Sequence, residues 1–384
     1  MKTILYISNH NPFGTSYGAE QRSNILLKAF LHNGCHVDVA YIGERSCRPE
    51  SVAPNIEIVY WNDDKKWKIS RCSNRKRLAL IKMFPASDEL SDLVGKLMEQ
   101  KDYDYVACRY LPFAALANLD RYSSQLILDI DDMPAQATAA HLAKKSGLRA
   151  IYQKLMLSRM QAETLRWIKK THTCFLPNSE QAARFGCVHL PNIPIVDTAS
   201  NLQNSTPHNL LFIGKLDWRP NYEGVAHFVR NCWNSILEQC PDAKFLIAGK
   251  GLFPELIQEF QQAKNVEVLG FVERLKDFYR QGSIVVSPVY SGAGTNIKVA
   301  EAMAMRKACV LTPFSAKGYE KLLHDGDNVF IATTDDEMIN KTISLLKSSE
   351  LCETMSRKSL ELASSHFSQS RVNNIIKSVI DKTI

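Results

Sequence analysis

Lys298 and Glu301 stand three residues apart behind a run of small residues, in Pro288-Val-Tyr-Ser-Gly-Ala-Gly-Thr-Asn-Ile-Lys-Val-Ala-Glu301. An apolar strand-like run ends at Pro288, and the pattern predicts a helix opening near Thr295. The first amides of a helix have no acceptor within it, so Thr295, Asn296 and Ile297 could cradle an anion such as a diphosphate. Lys298 adds a cation one step on. Glu301 lies one turn deeper on a nearby face. Its carboxylate could accept two hydrogen bonds from vicinal hydroxyls, as a ribose presents. A simple Lys298–Glu301 salt bridge is the competing reading.

Three further turns carry residues of similar use. In Phe212-Ile-Gly-Lys-Leu-Asp-Trp-Arg-Pro-Asn221, Gly214 opens the turn and Lys215 and Arg219 could reach a phosphate. Asn221 is placed to cap the helix that follows. In Val268-Leu-Gly-Phe-Val-Glu273, backbone groups at Phe271 and Val272 could read a base edge. Near the start, Asn9 to Arg22 joins a strand to a helix, and Gly14 and Gly18 permit close backbone approach. Neither a Gly-x-Gly-x-x-Gly fingerprint nor a Gly-x-x-x-x-Gly-Lys-Ser/Thr loop occurs, so a dinucleotide cofactor and a P-loop site gain little support.

The elements that must position these turns alternate between strand-like and helix-like. In the first half the strands fall at Thr3–Ser8, Val37–Ile42, Ile56–Tyr60, Tyr105–Ala107, Leu126–Ile130 and Thr173–Leu176. In the second they fall at Asn209–Ile213, Lys244–Ala248, Val266–Leu269, Ile284–Ser287, Ala308–Leu311 and Val329–Ile331. Helices are expected between them, for example Tyr222–Glu238 and Asn296–Met305, with another at Ser370–Ile384. Such β/α alternation predicts parallel sheets covered on both faces, and two series predict two α/β domains. The boundary is expected from Pro191 to Pro207, a stretch rich in Pro, Asn, Ser and Thr. In open α/β sheets ligands sit beyond the carboxyl ends of the strands, where all four turns lie.

The 384 residues, 45% of them hydrophobic, exclude a disordered chain, a collagen-like chain and a disulfide scaffold. No apolar run reaches the ~20 residues of a spanning helix. The opening Met1–Ser8 reads as a strand rather than a signal peptide, and a cytoplasmic location is expected. The ten cysteines include no Cys-x-x-Cys pair and no zinc-ligand spacing, and are expected to be reduced and structural. The net charge of +7 is uneven: residues 1–200 carry 26 basic and 20 acidic side chains, residues 201–384 carry 21 and 20. Lys65–Lys82 holds eight cations and no acid, and Lys144–Lys170 holds eight with Glu163 the one acid. Clustered cations with interleaved Trp61, Trp67 and Trp167 suit an anionic surface such as membrane headgroups, and a solvated helix face is the alternative. No nucleic-acid motif accompanies them, and no nucleic-acid partner is expected.

Taken together, Tyr17-Gly-Ala-Glu-Gln-Arg22, Leu211-Phe-Ile-Gly-Lys215, Leu269-Gly-Phe271 and Gly294-Thr-Asn-Ile-Lys-Val-Ala-Glu-Ala-Met-Ala304 resemble a GT-B glycosyltransferase, most closely glycosyltransferase family 4 (glycosyl transferases group 1). The resemblance spans nearly the whole chain; each piece is weakly specific and the set is strong. It implies two Rossmann-like domains facing across a cleft: 1–195 binding the acceptor and 206–366 binding a nucleotide-sugar, with 367–384 a helix crossing back to the first. It implies hexosyl transfer with retention, from a nucleotide-sugar to a glycan or lipid-linked glycan in polysaccharide or glycoconjugate biosynthesis. No metal or other cofactor is implied. The enzyme would be cytoplasmic, peripheral on the inner face of a membrane through Lys65–Lys82 and Lys144–Lys170.

Residue by residue, Gly18 matches the first-domain glycine near the donor phosphates, and Lys215 stands where the family usually has arginine. Lys298 and the Thr295–Ile297 amides match the phosphate-facing helix start. Glu301 matches the second glutamate of a Glu-x7-Glu motif and is implied to bind the ribose. The first glutamate is replaced by Ala293. The histidine the family often carries after the fifth strand is absent from Leu126-Ile-Leu-Asp-Ile-Asp-Asp-Met133, which offers Asp129, Asp131 and Asp132 instead. Asp131 and Asp132 are candidates to contact the acceptor or the transferred sugar, with helix capping by Asp132 the alternative. Arg109 and Tyr110 are candidate acceptor contacts. A nucleotide-sugar epimerase of the same architecture and a non-catalytic nucleotide-sugar-binding protein remain as rival readings.

Overall fold

The computed structural model describes residues 1–15, 18–43, 47–62, 83–141, 146–195, 209–292 and 295–381. These form two compact units, Met1–Pro191 with Gln369–Ile384, and Asn192–Ser368.

The first unit holds strands β1 (Thr3–Ser8), β2 (His36–Tyr41), β3 (Ile56–Trp61), β4 (Tyr105–Arg109), β5 (Leu126–Asp129), β6 (Thr173–Leu176) and β7 (Val188–His189). Its helices in chain order are α1 (Gly18–His32), α2 (Asp88–Gln100), α3 (Leu111–Leu116), α4 (Pro134–His141), α5 (Gly147–Lys170) and α6 (Ser179–Phe185). The seven strands pair in the order β3-β2-β1-β4-β5-β6-β7, all parallel. Strands β1 and β4 are buried almost throughout, as expected of a parallel sheet covered on both faces. Ser87 caps α2 by accepting the Leu90 amide, with Asp88 and Glu89 in the favourable first turn.

The second unit holds β8 (Asn209–Ile213), β9 (Lys244–Ala248), β10 (Val266–Gly270), β11 (Ile284–Ser287), β12 (Ala308–Leu311) and β13 (Phe330–Ile331). They pair in the order β10-β9-β8-β11-β12-β13, again parallel. Its helices are α7 (Arg219–Phe228), α8 (Asn234–Gln239), α9 (Pro254–Gln262), α10 (Leu275–Tyr279), α11 (Ile297–Ala304), α12 (Asp335–Lys347) and α13 (Ser349–His366). The helix expected over Tyr222–Glu238 is instead a longer rod in which a π-helical turn, Val229–Trp233, joins α7 to α8. Trp233 at its end is fully buried and donates to the Lys264 carbonyl at 2.7 Å.

The last helix, α14 (Gln369–Ile380), belongs to the first unit. Asn33 donates to its Asn373 carbonyl at 2.9 Å, and Tyr105 donates to its Ile380 carbonyl at 3.2 Å. Gln369 in turn donates to the Ile25 carbonyl of α1 at 3.1 Å. Among the described residues no helix is long and apolar enough to cross a membrane, and nine cysteines are free.

Candidate functional site

The strand order of the second unit reverses between β8 and β11, and in such sheets the crevice opens beyond the carboxyl ends of those two strands. The turn after β8 supplies Gly214 and Lys215; the loop after β11 leads to α11. That helix begins at Ile297 with Asn296 at its cap position, one or two residues later than the sequence predicts. Its start is held from several sides. Asn192 donates to the Thr295 hydroxyl at 2.6 Å, Asn296 donates to the Phe314 carbonyl at 3.4 Å, and Tyr319 donates to the Asn296 carbonyl at 3.3 Å.

Lys298 is buried and turns back across the switch point. Its ammonium donates to the Asn221 side-chain oxygen and lies 4.9 Å from the centre of the Phe212 ring. It would be 3.3 Å from a Cβ at Gly214. Burial pushes the Lys298 ammonium down to about 7, against the opposing pull of Glu301. Glu301, one turn deeper, is also buried, and the fully buried Tyr279 donates to its Oε2 at 3.4 Å. Burial and the neighbouring Glu301 push the Tyr279 phenol well up, so it stays a donor.

Asn221 corrects an expectation. It does not cap the helix: Pro220 takes an early helical position, so α7 opens at Arg219 and Asn221 falls inside its first turn. From there its amide donates to the Lys215 carbonyl at 2.8 Å while its oxygen accepts from Lys298. Lys215 itself is exposed, 3.5 Å from Asp217. Arg219 is exposed and pairs with Glu223 at 2.7 Å. Phe271 is half exposed beyond β10 with the Lys250 ammonium 3.7 Å above its ring, and Val272 beside it is half-buried. The loops crowd closely: a Cβ on Gly249 would lie 1.8 Å from the Gly214 carbonyl oxygen. Ala293 and Gly294 lie outside the described residues.

The first unit has its own switch point, between β1 and β4. His10 follows β1 and Tyr110 follows β4, and their rings meet edge to face at 5.4 Å. Burial, then the charge of Arg109, pushes the His10 imidazole down to about 4, so it is neutral at pH 7. Tyr110 and Asp131 have φ of 63° and 61°, left-handed values that are costly for such residues and concentrate at functional sites.

Beneath them runs a buried ion network. Arg22 of α1 makes a two-pronged contact with Asp129, both bonds 2.7 Å. Arg109 donates to Asp129 at 2.9 Å, to Asp131 at 2.7 Å and to the Ser23 hydroxyl at 3.2 Å. Burial works to raise the Asp129 carboxyl, but Arg22 and then Arg109 prevail and hold it below the usual range. The next residue but two, Asp132, goes the other way: burial and the charge of Asp131 push it up to about 7. Asp129 is thus fixed as an anion, while Asp132 exchanges its proton near neutrality.

One trio of metal-ligand type occurs among the described residues, His36, Asp38 and Glu57. His36 opens β2, at the amino ends of the strands. The Lys101 ammonium lies 2.9 Å from Asp38, and Tyr103 donates to the same carboxylate at 2.8 Å. A resident ammonium already supplies the positive charge there, and the trio reads as an ion-pair cluster.

Residues 207–348 match the family model described as glycosyl transferases group 1. The match is to that segment, and the chain as a whole has the GT-B fold. It is 27% identical over 375 residues to an uncharacterized 44.6 kDa protein in the cps region of Klebsiella pneumoniae, covering 86% of this chain and 89% of that one. The crystal structure of WaaG, a glycosyltransferase involved in lipopolysaccharide biosynthesis, superposes with a TM-score of 0.67 at 13% identity, over 99% of this chain and 100% of WaaG. An S. aureus TarM mutant in complex with fondaparinux, alpha-GlcNAc-glycerol and UDP gives 0.59 at 13%, over 76% of this chain. This chain spans 58% and 59% of the two TarM structures compared.

Within the matched segment, Gly214, Lys298 and Glu301 are brought together with the turn of Lys215, while Arg219 is exposed and engaged by Glu223. In the first unit Gly18 opens α1, and a Cβ there would meet nothing within 4 Å, leaving its backbone approachable. Tyr17 lies outside the described residues. Arg109 is fully buried among carboxylates. Sequence reasoning missed Tyr279, Tyr319 and Asn192, which touch the site only through the fold. It also missed His10, whose place right after β1 was the available signal. Asn9 Oδ1, Gln21 Oε1 and Asn24 Oδ1 are buried acceptors without a hydrogen-bond partner, in or beside the turn that leads from β1 into α1.

Proposed function

We propose that this chain transfers a hexosyl group, with retention, from a nucleoside-diphosphate sugar to a hydroxyl of a glycan or lipid-linked glycan. The observation that carries the reading is Lys298, a buried ammonium beside Gly214 at the β8/β11 switch point, with Glu301 one turn deeper. A diphosphate would lie over Gly214 between Lys298 and the first amides of α11, with Lys215 from the rim. Glu301, held by Tyr279, would bind the ribose diol, and the backbone at Phe271 and Val272 would meet the base. UDP bound to TarM supports starting with uridine donors. The cps-region relative and WaaG support a place in surface polysaccharide or glycolipid synthesis.

In the transfer, the bond from the anomeric carbon to the diphosphate oxygen breaks and a bond to the acceptor oxygen forms. The acceptor proton passes to the leaving phosphate. Lys298 and the helix amides stabilise the charge that gathers on the diphosphate, and no metal is required by this scheme. The first unit would hold the acceptor: Tyr110, Asp131 and Asp132 line its switch point, and Arg109 positions Asp131 rather than touching substrate. A lipid-linked acceptor would bring the enzyme to an anionic membrane surface. Of the basic segments expected to dock there, Lys65–Lys82 lies outside the described residues.

A thermal-shift panel of UDP-, GDP-, ADP- and dTDP-sugars tests the donor site, because a ligand that binds only the folded state raises the melting temperature. One nucleotide series should stabilise the protein, and Glu301→Ala should reduce the shift. No shift with any of them would sink the reading. Release of a free epimer from the donor without acceptor would replace transfer by epimerisation. The anomeric configuration of the product decides retention.

A further inference from the structure

The solvent face of α5 changes character halfway along its length. Leu148, Ile151, Tyr152 and Leu155 are exposed by 85%, 58%, 39% and 55%. Spacings of three, four and seven residues put all four on one side of the helix. Arg159, Arg166, Lys169 and Lys170 continue along the same side and are exposed. The core-facing side is different: Met160, Thr164 and Trp167 are buried there. The apolar quartet is therefore a second stripe, turned away from the core. Isolated exposed apolar side chains are ordinary, but four on two adjacent turns form a patch.

Along the helix itself, the charges beside the patch are of one sign. Gly147 to Ala162 contains no acid, and Arg149 and Lys154 flank the quartet as exposed cations. The first acid of the helix, Glu163, is half-buried and accepts the Met83 amide at 2.8 Å. An apolar patch of about 10 Å followed by a cationic track of about 16 Å, on one helix face, fits a surface that is apolar within and anionic at its rim. Tyr152, at the edge of the patch, has the amphipathic shape suited to that boundary.

We propose that the first two turns of α5 insert Leu148, Ile151, Tyr152 and Leu155 into an anionic lipid bilayer surface, with Arg159, Arg166, Lys169 and Lys170 lying on the headgroups. This rests on the lipid-linked acceptor of the preceding reading and names the surface that would bring the enzyme to it.

The test uses the full chain and vesicles of phosphatidylglycerol with phosphatidylcholine, without donor or acceptor. The parent should co-sediment with these and not with pure phosphatidylcholine. Leu148→Ser, Ile151→Ser and Leu155→Ser together should lower partitioning by about tenfold or more, since burial of apolar area drives insertion. Arg159→Gln, Arg166→Gln and Lys169→Gln together should weaken binding and remove much of its salt dependence. A Tyr152→Trp reporter should shift its emission to the blue on adding vesicles.

All variants should keep the donor-induced thermal shift, which separates failure of the surface from failure of the donor site. Parent protein left in the supernatant would overturn the proposal. So would a serine variant that partitions like the parent, which would assign binding to another segment such as Lys65–Lys82. A concentration-dependent dimer in vesicle-free buffer that the serine variant loses would make a second copy the occupant instead.

Discussion

The Lys298 ammonium is anchored by Asn221, through the same side chain that donates to the Lys215 carbonyl. One amide thus ties the cation of α11 to the turn after β8. The anchor is a neutral dipole, so it orients the ammonium without balancing its charge, and burial leaves the group titrating near 7.

That titration makes an observable. An incoming diphosphate favours the ammonium, so UDP should bind with uptake of a proton. Above the empty-site value of about 7, affinity should fall by up to about tenfold per pH unit until the bound-state value is reached. Calorimetry at pH 8 in two buffers of different ionisation enthalpy reads the uptake. Affinity flat from pH 7 to 9 with no proton taken up would separate Lys298 from the diphosphate.

The Tyr279 phenol and Glu301 should be separable in the same assay. Glu301→Ala removes both hydroxyl bonds to the ribose, and donor KM should rise at least about tenfold, as hydrogen bonds to a charged group contribute ~1.5–3 kcal/mol each. Tyr279→Phe removes only the group that holds the carboxylate, and a smaller rise is expected with kcat nearly unchanged. Donor affinity unaltered by Glu301→Ala would take that residue out of the site.

The difference between these two residues also marks what the sequence could tell. Glu301 and Lys298 were legible because they share one short helix, and the sheet was legible because central parallel strands such as Asn209–Ile213 read as continuous apolar runs. Tyr279 sits on another helix and Asn221 on a third, and no local pattern joins them. Asn221 has the type of a cap, whereas Pro220 moves the helix start ahead of it. The two-residue β7 is too short to carry a periodicity. The aspartates of the Leu126–Met133 segment stood out as a cluster, but their cations come from Arg22 and Arg109, far off in sequence on α1 and β4.

That ion network should dominate the stability of the first unit. Asp129→Asn would leave Arg22 and Arg109 buried with half their compensation, and breaking a buried pair costs roughly 3–5 kcal/mol. Urea unfolding at pH 7 should show a large drop in midpoint. Because the Asp129 carboxyl is held low in the folded state, its contribution is present above the ordinary carboxylate range and lost as the pH falls below it. A drop under about 1 kcal/mol would fall in the range of an exposed pair and contradict the buried network.

Asp132 should act with the opposite sign. Its carboxyl is raised to about 7 in the folded protein, first by burial and then by the charge of Asp131. A group raised in this way stabilises below its unfolded value of ~3.9, and that contribution is lost as the pH rises through the folded value. Asp132→Asn keeps the neutral shape at every pH. The variant should match the parent near pH 4 and become the more stable of the two by pH 8, measured by urea unfolding at both. An equal difference at both pH values would mean that Asp132 ionises freely. If the variant is more stable at pH 8 yet transfers sugar more slowly, the charge strain between Asp131 and Asp132 is kept for the reaction, as stability traded for activity at a site.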